Sequence, residues 1–217
     1  MKILEIELLS DNIAETESFY KKVLGTTPYL KEDRATVFYQ IGFTKLIFRK
    51  SENVNPVYHF AIDIPNNLFD EAYRKIKSQT AILEIEPGND IADFTNWDAR
   101  SFYFYDNNGN VLEFITRYGN KTFSNTLFSS ESYISVSEIG LVTGKVPQFA
   151  DGLFKKFGIP VFHRQPRGDK FTVSGDDDGL FIVVENGREW YPVHKKAYSY
   201  RTRVLFMKSG VLYHFIK

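Results

Sequence analysis

The sequence predicts an α+β protein built from paired βαβββ units, with a complete N-terminal lobe and a truncated C-terminal one. Three observations predict it. Glu5-Ile6-Glu7-Leu8-Leu9-Ser10 and Glu138-Ile139-Gly140-Leu141-Val142-Thr143 open two segments that stay in step at an offset of 133 positions, from 5 to 138. Each segment passes from a short apolar strand through an amphipathic stretch to a glycine, which reads as strand, helix and C-cap. A shorter echo of the same order lies inside the first half.

In chain order, the first helix spans roughly residues 12–24. Asp11 or Asn12 is available as N-cap, and Ile13, Phe19, Tyr20, Val23 and Leu24 can share one face. Short strands follow. Val57 to Asp63 reads as the strand that opens the echo, and Leu68 to Ser78 as its helix, with Phe69, Ala72, Tyr73 and Ile76 apolar. Phe102-Tyr103-Phe104-Tyr105 and Val111-Leu112-Glu113-Phe114-Ile115 make a hairpin, because Asp106-Asn107-Asn108-Gly109-Asn110 between them suits positive φ. Residues 1–118 therefore form one lobe of two βαβββ units. Residues 119–132, rich in Ser, Thr and Asn without periodicity, read as a linker. The second lobe, residues 133–217, holds one unit to about Glu185, with a helix at 146–157. It ends in strands near Arg201–Met207 and Val211–Ile216 without a second helix.

Composition narrows the function. The 217 residues, 43% hydrophobic and 16% aromatic, suffice for one large core or two modest ones. Lys plus Arg and Asp plus Glu number 27 each, so no global field exists to hold nucleic acid or an anionic membrane surface. With no cysteine, disulfides, thiolate metal sites and cysteine nucleophiles are excluded, and any metal must use His, carboxylate or water. No signal-like N-terminal run and no stretch of ~18 uninterrupted apolar residues occurs, so a cytoplasmic location is expected.

Phe19-Tyr20 in the first helix followed by Val23-Leu24-Gly25, and Phe102 to Ile115 with its Asp-x-x-Gly-Asn-x-x-Glu turn, resemble the vicinal oxygen chelate superfamily. That superfamily includes glyoxalases, bleomycin-resistance proteins and extradiol dioxygenases. The resemblance is strong over about residues 2–118 and weaker over 133–185. It implies curved, open-barrel sheets with helices outside and a metal in the concave interior. Its ligand positions carry over to Glu5, His59 and Glu113. The first position is more often His or Gln in the superfamily, and the fourth falls near Ile47 or Phe48, which offer no donor.

Strand alternation is consistent with this ligand set, because Glu5, His59 and Glu113 each oppose apolar neighbours along their strands. One imidazole with two carboxylates suits Zn²⁺, Ni²⁺, Mn²⁺ or Fe²⁺, and Glu7 is a candidate base beside Glu113 as the second catalytic carboxylate. Each residue also has an ordinary reading: a solvated strand glutamate, a hydrogen-bonded structural histidine, a surface ion pair. Phe38, Tyr39 and Trp97 are candidate substrate-binding walls or plain packing, and Arg100 a candidate substrate contact or a carboxylate partner. Asp176-Asp177-Asp178-Gly179 lacks the spacing of a calcium loop, and neither His163 nor His194 repeats His59. The second lobe reads as structural, a cover for the first lobe's cavity.

Two functions follow. One is a divalent-metal-dependent lyase or isomerase acting on a small oxygen-bearing molecule, with ring-opening dioxygenation disfavoured by the single histidine. The other is a metal-free protein that binds or sequesters a small molecule, as bleomycin-resistance relatives do. A homodimer would cover an open sheet edge.

Overall fold

Apolar alternation across the chain produces fourteen strands, which the computed structural model, describing residues 1–217, arranges in two open sheets. The first unit comprises β1 (Lys2–Ser10), α1 (Ile13–Lys22), β2 (Leu30–Glu32), β3 (Thr36–Ile41) and β4 (Thr44–Lys50). The second comprises β5 (His59–Asp63), α2 (Phe69–Lys77), β6 (Ile82–Leu83), β7 (Ala92–Phe94), β8 (Ala99–Tyr105) and β9 (Val111–Arg117). The third has β10 (Ser135–Thr143), α3 (Val146–Phe157), β11 (Phe171–Asp176) and β12 (Gly179–Glu185), and the tail adds β13 (Arg203–Lys208) and β14 (Val211–Ile216).

Local chemistry sets the element ends. The Asn12 side chain accepts from the Glu15 amide at 3.2 Å and so caps α1. α3 carries Pro147 in its first turn and closes on Gly158 at φ +66°. The β8–β9 turn is tied by Asp106, whose Oδ1 accepts from the Asn108 and Asn110 amides at 2.9 Å each, with Gly109 at φ +74°. The linker region is anchored by Phe128, buried against Phe114 and Tyr133.

The sheets join differently from a lobe-by-lobe assembly. Their orders are β14-β13-β1-β4-β3-β2 and β11-β12-β10-β5-β9-β8-β6, with β7 on β8. Each unit leaves its opening strand as a free edge, and an unpaired edge needs a partner. β10 covers β5, antiparallel, and β13 covers β1 in the same way. Each sheet therefore takes strands from both sides of residues 119–132. The helix-facing sides, including Ile6, Phe60, Phe114 and Ile139, share one core. Each such side chain contributes about 1.5–3 kcal/mol on burial. No helix is long and apolar enough to cross a membrane.

Candidate metal centre

The site is built on the three central strands of the second sheet. Ala61 on β5 pairs with Glu113 on β9 and with Glu138 on β10, so the two glutamates flank one alanine. A single methyl leaves the space above β5 open. His59, two residues from Ala61 and so on the same face, enters that space. Phe60, Leu112, Phe114 and Ile139 point the other way into the core and hold the strands in register. One ligand atom from each of His59, Glu113 and Glu138 lies within 4.8 Å of the others, and all three residues are buried.

The surroundings prepare the donors. The Val111 carbonyl lies 3.0 Å from His59 Nδ1, which makes Nδ1 the protonated nitrogen and leaves the Nε2 lone pair facing Glu113 Oε2 at 3.6 Å. Burial lowers the His59 pKa, against the pull of Glu138, and so favours the neutral imidazole. Burial raises the Glu113 carboxyl. It raises Glu138 too, where repulsion from Glu113 adds to it and Arg117 opposes it. Arg117, itself buried, donates to Asp63 and to Glu138 and fixes the Glu138 carboxylate from behind, with Ser137 Oγ 3.1 Å from the guanidinium. Three carboxylates against one guanidinium leave two negative charges when all are ionised. Buried charge of that size calls for a cation or for protons. The donor set fits a divalent ion of the Zn, Ni, Mn or Fe type.

These donors open onto a cavity of about 240 Å³. Its walls are largely aromatic, from Phe94, Trp97, Tyr103, Phe171, Trp190 and Tyr191. The stretch after β12 carries Trp190 across the concave face, where its ring centroid lies 5.4 Å from that of His59. Gly140 on β10 permits this approach, because a Cβ there would stand 2.5 Å from the Trp190 ring.

No family model matches the chain, and no curated protein sequence does. Solved structures do match. A Bacillus subtilis chain provisionally assigned as a dioxygenase is similar over 100% of this chain and 84% of its own, with a TM-score of 0.62 at 14% identity. A glyoxalase I variant from Zea mays is similar over 90% of this chain and 70% of its own, with a TM-score of 0.57 at 16% identity. The chain has the vicinal oxygen chelate fold.

Within that vicinal oxygen chelate fold, the sequence-predicted residues divide. His59, Glu113 and Trp97 come together at one cavity. Glu5 does not join them. It lies on the other sheet, paired with Lys45 at 3.0 Å and Arg203 at 2.6 Å, because β1 is joined to β13 and β4 rather than to β5. Glu7 lies beside it. Burial would raise its carboxyl, but Arg201, Arg203 and Arg49 outweigh that and lower it, so it is a poor base remote from the cavity. Tyr39 is core packing against Tyr20, and Phe38 stands near Tyr29 on the first sheet. Arg100 lies over the Phe69 ring, 3.8 Å from Asp70.

Sequence reasoning missed Glu138, Arg117, Arg188 and Trp190. Only Glu138 had a signal, as the repeat of Glu5. The segment beyond residue 132, expected to be structural, supplies a carboxylate and a wall of the cavity.

Proposed function

We propose that this protein binds a divalent metal ion through His59, Glu113 and Glu138 and is a metal-dependent lyase or isomerase acting on a small molecule that offers adjacent oxygens. The observation that carries this reading is the convergence of three buried donors within 4.8 Å at the base of an aromatic-walled cavity. A bound ion would supply Lewis-acid polarisation of a substrate carbonyl or enediolate. The chain's own residues do the rest. The Val111 carbonyl holds His59 in the tautomer that presents Nε2, Arg117 orients Glu138, and the Tyr103 and Trp190 rings restrict water. Three protein donors leave positions for substrate. Ring-opening dioxygenation is disfavoured, because its usual set has two imidazoles and one carboxylate.

Elemental analysis of protein purified without an affinity tag tests the reading. About one equivalent of metal is expected in the parent chain, and at least tenfold less in the His59→Ala and Glu113→Gln variants. A parent chain still empty after divalent-ion titration would favour the second reading. That reading is a metal-free protein that binds or sequesters a small molecule, and the aromatic lining supports it.

A further inference from the structure

The cavity is polarised along its length. Glu113 and Glu138 occupy one end. Arg188 lines the same cavity, half-buried, with its guanidinium carbon 4.9 Å from the centroid of the Phe171 ring. Phe171 pairs with Val184, which pairs with Val142, two strands across and four residues along from Glu138. At ordinary sheet spacings that is roughly 16 Å between α-carbons. Phe94, Trp97, Trp190 and Tyr191 line the same cavity.

Arg188 has no anionic partner within the chain. Its Nη1 donates to the Glu189 backbone carbonyl at 3.1 Å, and no side-chain carboxylate pairs with it. The neighbouring carboxylates are engaged elsewhere, Glu185 with Lys170 and Glu189 with Lys196 and His194. A guanidinium resting over an aromatic ring, with only a backbone carbonyl as its hydrogen-bond partner, keeps other donors available to a planar oxyanion. Aromatic walls favour a flat, apolar body.

We propose that Arg188 is the anion-recognising residue of this cavity and that the ligand class is a planar aromatic carrying a carboxylate, its ring held among Trp97, Trp190 and Tyr191. This rests on the reading of the cavity as the ligand site. The charge on Arg188 then decides orientation, directing the opposite end of the ligand toward His59, Glu113 and Glu138.

The test uses 2-naphthoate and its neutral isostere 2-naphthamide, titrated calorimetrically into the chelator-treated full chain. With metal removed, no cation stands at the Glu113 and Glu138 end, so a preference for the carboxylate that disappears in Arg188→Gln is assigned to Arg188. The parent chain is expected to bind naphthoate about tenfold more tightly than the amide, a difference of about 1.4 kcal/mol. Arg188→Gln is expected to bring naphthoate down to the amide's affinity while moving the amide less than about twofold, and Arg188→Lys, which keeps the charge but loses the planar fork, to retain only part of the preference. Both tryptophans of the chain line the cavity, so their emission reports entry independently. Equal binding of both probes, binding of neither, or a preference that survives Arg188→Gln would overturn the proposal. Metal uptake without a carboxylate preference contradicts this inference alone, whereas the preference without metal uptake contradicts the metal-dependent reading alone.

Discussion

His59 shows how a single side chain is made ready for a metal. Its ring is buried, one nitrogen is committed to a backbone carbonyl on the neighbouring strand, and the other faces a carboxylate too far away for a hydrogen bond. Glu113 and Glu138 carry the opposite tension, since burial penalises their charge and raises both pKa values. Protons and a metal ion therefore compete for the same oxygens. Asp106, buried in the β8–β9 turn, is raised to about 6, chiefly by burial. A raised carboxylate contributes stability that is fully present below its unfolded value and is lost as pH rises through its folded value. For Asp106 that window runs from 3.8 to about 6, and the two glutamates act in the same direction. These three carboxyls thus make the metal-free protein less stable as pH rises through this range, and His59, whose pKa is lowered from 6.5, opposes them. The rise in melting temperature on adding Zn²⁺ is expected to be several-fold larger at about pH 8 than at about pH 5.5. Thermal melts with and without the ion check this, and a metal effect independent of pH would contradict it.

At the scale of elements, β10 does two things with adjacent same-face positions: Glu138 faces the other donors, and Gly140 makes room for Trp190. Gly140→Ala would drive a methyl into the Trp190 ring. It is expected to cost about 1–3 kcal/mol of stability and to shift tryptophan emission, read by denaturant titration and fluorescence. An unchanged midpoint would mean that the ring is not seated on the strand. The elements themselves were legible. Ile13 and Tyr20 mark the buried face of α1, with Leu24 buried just past its end, Asp106 to Asn110 mark the hairpin, and the alternation around His59 and Glu113 gave their faces correctly. Trp190 and Arg188 were not legible, because the stretch that carries them has no periodicity to read. Choosing between Glu5 and Glu138 was beyond local pattern as well. The repeat presents them as equivalents, and only the pairing of β5 with β10 decides between them.

For the whole molecule, that pairing is the organising fact. Residues 1–118 contain two units whose opening strands, β1 and β5, are covered only by β13 and β10 from beyond residue 132. A fragment of residues 1–118 is accordingly expected to lose cooperative unfolding and metal uptake together, because it exposes two edges and lacks Glu138. Circular dichroism melts and elemental analysis of the fragment would show it. A cooperatively folded, metal-bearing fragment would contradict it. The sheet holding β1 keeps its own carboxylates in ion pairs, with Glu5 and Glu7 shared among Lys45, Arg49, Arg201 and Arg203, so the molecule contains one buried donor cluster beside one ion-pair network in which cations outnumber carboxylates. Calorimetric titration of Zn²⁺ into the parent chain, Glu5→Gln and Glu138→Gln separates the two most directly. The parent and Glu5→Gln are expected to take up about one equivalent with similar affinity, and Glu138→Gln to bind at least tenfold more weakly. Undiminished binding by Glu138→Gln, or its loss in Glu5→Gln, would contradict a centre built across β5, β9 and β10.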